Sequence, residues 1–316
     1  MRGKARKGRS TASVGILTWI VAGLAAGVTA LPAAAGPAIG QFEVKTLDAE
    51  PGEIEFQSQN AYSFGVPRRR VVQDGGGDLE GDDNSQARAR NALELEFGLT
   101  HFLKGRIGIE YEAERREEFT TLRQAEGFDA LKLDEYAAEL IVVAIPRHGD
   151  GFGLGAVVEY EVPAEKGGSQ TLVAGPIFEW ASGPWELTLI PTIVQFMGGP
   201  RNDAGQRDEK MDFAYANRLV YHWSDSLDLA LEAYGTVERI GGRGGRSEEA
   251  ALFGDFDQHR LGPVIYWNFK PDWGSGATDA DDDGEAGEVS LGIGALFGLN
   301  AATPDTTLKL SMEYVF

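Results

Sequence analysis

What most constrains this chain is an alternation of apolar and polar residues with a period of two, recurring from residue 54 to the final residue. Successive side chains of a strand point to opposite faces, so each such run reads as a strand with one apolar face and one polar or glycine face. Ile54, Phe56, Tyr62 and Phe64 alternate with Glu55, Gln57, Gln59, Ala61 and Ser63. Leu93, Leu95, Phe97 and Leu99 interleave with Glu94, Glu96, Gly98 and Thr100, and Ile107, Ile109 and Tyr111 with Arg106, Gly108, Glu110 and Glu112. Residues 152–162 set Phe152, Leu154, Ala156, Val158, Tyr160 and Val162 against Gly153, Gly155, Val157, Glu159 and Glu161. Similar runs occupy about 131–145, 170–181, 185–196, 211–223, 227–239, 258–270, 288–300 and 306–316.

The count comes to about twelve strands, most of them about ten to thirteen residues long, which is long for a globular sheet and suits a tilted strand crossing a bilayer. Short connections (100–105, 182–184, 223–226) alternate with longer polar ones (66–90, 116–130, 197–210, 240–257), as expected of a barrel with turns on one rim and loops on the other. A soluble sandwich alternates in the same way. Strand length favours the barrel, as does a polar face that mixes glutamates with glycines. Aromatics near strand ends (Tyr62, Phe64, Trp180, Trp185, Tyr221, Trp223, Trp267, Phe269, Trp273) favour it too, as at membrane interfaces. The expectation is an all-β, transmembrane antiparallel up-and-down β-barrel.

The N-terminus bears on the address. Arg2, Lys4, Arg6, Lys7 and Arg9 precede an apolar run from about Val14 to Leu31, and Ala33-Ala34-Ala35 offers a small-residue cleavage site before Gly36. Residues 1–35 therefore read as a secretory signal peptide, 36–51 as an N-terminal periplasmic segment and 52–316 as the barrel. The whole chain carries a net charge of -20; without residues 1–35, which hold five basic and no acidic residues, 24 basic face 49 acidic residues, a net of -25. Such acidity argues against nucleic-acid binding, which needs Lys and Arg on phosphates. No cysteine is present, which excludes disulfides, thiolate metal sites and a Cys nucleophile.

The final run is the most specific. Leu308, Leu310, Met312, Tyr314 and Phe316 share one face, while Lys309, Ser311 and Glu313 share the other. This terminal stripe resembles the C-terminal signature of Gram-negative outer-membrane β-barrels, which the barrel insertion machinery recognises. Phe97-Gly98-Leu99-Thr100, Ile107-Gly108-Ile109-Glu110 and the run from Leu291 to Leu299 are similar to proteobacterial porin-like transporter proteins of the phenol-degradation-pathway group. The resemblance implies a cell outer-membrane location, contact with lipid and lipopolysaccharide, and passage of small solutes. It implies no cofactor and names no substrate.

With the apolar faces turned to lipid, the expected lumen lining includes Glu94, Glu96, Arg106, Glu110, Glu112, Glu159, Glu161, Glu179, Arg218, Glu232, Arg260 and Lys309. Carboxylates crowded in a narrow lumen attract cations, so the expectation is a porin-like channel with a preference for cations. The alternatives are a non-conducting structural or adhesion barrel, plugged by Arg–Glu pairs, and an outer-membrane lipid hydrolase. Asp279-Ala280-Asp281-Asp282-Asp283-Gly284 matches the opening of a calcium loop, but Ser290 at the twelfth position lacks the bidentate carboxylate, so a solvated acidic loop is the simpler reading. His222-Trp223-Ser224-Asp225 is the nearest fragment to a hydrolytic pair, and its spacing alone does not define a nucleophile and base. Arg68-Arg69-Arg70 and Gly241–Arg246 read as solvated loop tips.

Overall fold

The computed structural model describes residues 42–69, 71–73, 79–81, 86–116, 119–199, 209–243, 257–271 and 287–316. Residues 1–41, which include the stretch expected as a signal peptide, and the expected Asp279–Gly284 loop lie outside them. The strands are β1 (Ile54–Phe64), β2 (Val71–Gln73), β3 (Leu79–Gly81), β4 (Ala87–Thr100), β5 (Leu103–Glu114), β6 (Lys132–Ile145), β7 (Gly151–Pro163), β8 (Gln170–Ser182), β9 (Trp185–Met197), β10 (Glu209–Ser224), β11 (Leu227–Arg243), β12 (Gln258–Phe269), β13 (Glu288–Gly298) and β14 (Thr306–Val315). Twelve of them, β1 and β4 to β14, close into one antiparallel barrel, while β2 and β3 form a separate hairpin in the loop after β1. A single helical turn, Leu122–Ala125, sits in the loop after β5, where the Thr121 hydroxyl accepts from Gln124 N–H.

Closure is made by β1 pairing with β14, in register from Glu55 opposite Val315 to Phe64 opposite Thr306, and Phe316 N–H donates to Ile54 O at 2.9 Å. Each of the twelve barrel strands therefore has two neighbours, and closure leaves the barrel without an open edge. One rim carries Phe316, the start of β1 and tight turns such as Gly183–Pro184; the other carries the loop after β1, the loop after β5 and the further loops beyond it. We call these the terminal rim and the loop rim.

The outer surface is apolar. Leu93, Ile107, Leu140, Val158, Leu231, Ile265, Ile293 and Leu310 are exposed there, and Phe102, Phe152, Trp180, Trp185, Trp223, Trp267 and Phe316 ring the terminal rim. Tyr62 and Phe64 stand at the loop rim, in contact with each other. An apolar band with aromatic girdles matches a bilayer. Leu308, Leu310 and Phe316 are exposed on this face, with Met312 and Tyr314 partly covered.

Two departures from strict alternation matter inside. In β6, Glu110 pairs with Glu135 but the next residue, Tyr111, pairs with Leu133, so Asp134 is an extra residue and both Asp134 and Glu135 are buried. Part of the inward face is apolar: Ile141, Val143, Val157, Ile177, Val220 and Val264 are buried there. The expected polar or glycine inner face, which included Val157, is interrupted by these residues, whose strands are locally apolar on both sides.

Candidate functional site

The lumen is occupied by the chain's own early residues. Ahead of β1, residues 42–47 line the barrel interior, and Phe42, Val44 and Leu47 belong to the buried core. The physical reason is a double match between segment and wall. Leu47 packs on Gly153 and Gly155, where an added Cβ would collide with its side chain, and Val44 and Leu47 bury apolar surface against the apolar lower wall. Leu47 N–H donates to the Glu179 carboxylate at 2.7 Å.

The charged residues of the segment find partners on one side of the barrel. Arg106 of β5 binds Glu43 and Glu96 of β4, the latter at 2.7 Å, with Glu94 at 3.5 Å and Glu139 at 3.7 Å. Lys45 is paired with Glu139 and lies 3.5 Å from Glu159. Burial by itself raises the Glu43 carboxyl, and the Arg106 and Lys45 charges more than reverse this, holding it at about 2. Lys104 closes the group with a 2.7 Å contact to Glu96.

The opposite wall holds the segment by hydrogen bonds. Tyr234 of β11 donates to Phe42 O at 2.8 Å, and its ring meets the Phe42 ring edge-on. Beneath it, Glu232 gathers Lys309 at 2.7 Å together with the hydroxyls of Tyr234 and Tyr266. Arg218 lies over the Tyr266 ring, and Arg260 over that of Phe42. At the terminal rim Arg147 bridges Glu179 at 3.3 Å and Glu186 at 2.7 Å.

Glu94, Glu96, Arg106, Glu112, Glu159, Glu161, Glu179, Glu232, Arg260 and Lys309 are all buried on the inward face, and Glu110 and Arg218 are partly buried there. They do not form one site. Arg106 gathers Glu94, Glu96 and Glu43; Glu159 meets Lys45; Glu232 and Lys309, three strands apart, meet each other. Glu110 and Glu161 stand nearer the loop rim with Glu135, and Glu112 pairs with Arg90 at 2.7 Å. Sequence reasoning missed Glu43, Lys45, Lys104, Asp134 and Glu135. Glu135 shares the parity of Glu139, a usable signal; Asp134 faces in through the bulge and had none.

The fold can now be compared with known proteins. No protein-family model matches the chain, and no curated protein matches it. Among solved structures it is similar to the COG4313 outer membrane channel from Pseudomonas putida F1, with a TM-score of 0.55 at 12% identity over 86% of this chain and 99% of that one. The likeness is one of fold, a closed antiparallel barrel. More distant likenesses are the NanC porin (TM-score 0.46, 8% identity, 83% of this chain and 98% of that one) and the KdgM porin (0.40, 7%, 84% and 99%).

The fragment weighed for hydrolysis is engaged elsewhere. His222 Nδ1 lies 2.8 Å from Asp228 across the β10–β11 pair, and its Nε2 lies 3.9 Å from Glu186. Arg69, expected at a solvated loop tip, donates to Arg116 O at 2.5 Å and lies over the Phe119 ring.

Proposed function

We propose that the protein is an outer-membrane channel for passive passage of small solutes, cations before anions, whose lumen is narrowed by residues 42–49. The observation that carries this reading is the row of carboxylates on β4 to β8, of which Glu139 and Glu159 share Lys45 of the segment. A low-dielectric passage lined by one sign of charge concentrates counter-ions and repels co-ions. Purified protein in a planar bilayer, under a potassium chloride gradient, is expected to conduct with a reversal potential on the cation side. Anion preference would overturn the cation reading.

The network around Arg106 favours a second reading, a barrel held shut by its own segment. No conductance from the full chain, with conductance gained by a chain lacking residues 42–49, would support it over the channel.

The narrower likeness to the phenol-degradation-pathway transporters rests on the Phe97–Thr100, Ile107–Glu110 and Leu291–Leu299 segments, and the assembly role of Leu308, Leu310, Met312, Tyr314 and Phe316 on their shared outward face. The partners that follow are outer-membrane lipid, lipopolysaccharide and the barrel insertion machinery. Assembly into vesicles containing that machinery, compared between the full chain and a Phe316 deletion, tests the last of these.

A further inference from the structure

On the inner wall near the loop rim, Glu110, Glu135 and Glu161 project from three neighbouring strands, and one carboxylate oxygen of each lies within 4.8 Å of the others. Register explains the meeting: Glu110 sits opposite Glu135, and Glu161 sits opposite Ala137, two residues further along β6. Among the described residues, no lysine or arginine forms an ion pair with any of the three. The neighbouring triad nearer the rim differs, since Glu112 has Arg90 at 2.7 Å and Glu114 has Lys132 at 3.8 Å.

A second observation points to a ligand. Glu161 is 1% exposed, and neither of its carboxylate oxygens has a hydrogen-bond partner. Directly opposite it on β8, Thr171 is fully buried and its hydroxyl also lacks a partner. Directly opposed residues on one face of an antiparallel pair have Cβ atoms about 4.5–5.5 Å apart, so Thr171 stands beside Glu161 on the same patch of inner wall without being bonded to it. Leaving such groups unpaired in a buried wall is costly, most of all for a charge.

We infer that Glu110, Glu135 and Glu161, with the Thr171 hydroxyl beside them, form a binding site for a hard divalent cation of the calcium class. Calcium takes carboxylate and neutral oxygens at about 2.3–2.6 Å in flexible geometry, so oxygens up to about 4.8 Å apart can share one ion. Three carboxylates supply the charge, and the hydroxyl supplies a neutral oxygen that no lysine could offer. The site lies one rung toward the loop rim from the Glu139–Glu159 pair that holds Lys45. It stands on these side chains whether or not the barrel conducts.

Calorimetric titration of the refolded full chain in detergent micelles with calcium chloride is the test, with manganese chloride followed by electron paramagnetic resonance as a second probe. The expected result is binding in the range of about 0.1–1 mM or tighter, weakened at least about tenfold by Glu161→Gln and measurably by Thr171→Val, and unchanged by Glu114→Gln. Folding of each variant is checked by heat-modifiable gel mobility. Should Glu161→Gln fail to fold, Thr171→Val and the manganese signal of the unaltered chain decide. No binding by the unaltered chain, or affinity in Glu161→Gln and Thr171→Val equal to that of the unaltered chain, overturns the site, as does loss of binding only in Glu114→Gln, which moves it to the other triad.

Discussion

The hydroxyl of Tyr234 donates to the carbonyl oxygen of Phe42 at 2.8 Å, joining positions 192 residues apart and fastening the chain's early segment to the wall opposite Arg106. Removing residues 42–49 deletes both fastenings and the Leu47 contact on Gly153 and Gly155. The truncated barrel is expected to conduct several-fold more than the full chain in planar bilayers while keeping its heat-modifiable mobility. Equal conductance would mean that the segment does not limit the passage.

Arg106 serves four carboxylates: Glu43, Glu94, Glu96 and Glu139. Arg106→Gln leaves them buried without their shared cation, and breaking a buried pair in this way costs about 3–5 kcal/mol. Urea unfolding in lipid vesicles, followed by tryptophan fluorescence, measures the loss. A change below about 1 kcal/mol, the worth of an exposed pair, would show that water already screens this cluster.

Gly98 lies against the Glu50 carbonyl, with no room for a Cβ, and exchanges backbone bonds with the turn: Gly52 N–H donates to Gly98 O at 2.8 Å and Gly98 N–H to Glu53 O at 3.0 Å. Gly98→Val displaces this turn and with it the direction in which the segment enters the lumen. Limited proteolysis is expected to cut the variant between residues 42 and 53 under conditions that spare the unaltered chain. Matching cleavage patterns would show that the turn tolerates the side chain.

Because the Glu43 carboxyl is held at about 2, below its ordinary 4.5, its contact with Arg106 is complete above that ordinary value and is lost only as the pH falls through about 2. Glu43→Gln removes the contact at every pH. The variant is therefore expected to show higher conductance than the full chain at neutral pH, and the two are expected to converge toward pH of about 2. Superimposable pH profiles throughout would remove Glu43 from the list of fastenings.

The barrel was legible in the sequence because its outward residues obey one rule. Leu308, Leu310, Met312, Tyr314 and Phe316 announce a lipid face, and the same parity orders the other strands. The inward side obeys several rules at once, so less of it could be read. Leu140-Ile141-Val142-Val143 is apolar on both faces because Ile141 and Val143 meet the early segment's apolar layer, and only the partner explains the run. Phe42-Glu43-Val44-Lys45 does alternate, but a stretch that pairs with no strand offers no register to test it against. Asp134 faces inward through a bulge, which by its nature leaves no periodic trace.

Lys45 has a consequence for anything that travels through this barrel. It is a cation tethered to the wall by a few residues, so its local concentration at Glu139 and Glu159 is fixed by chain length and does not fall when the protein is diluted. A travelling cation thus meets a resident rival rather than a vacant carboxylate pair. Flux through such a lumen is a competition, set by how often the tethered ammonium lets go.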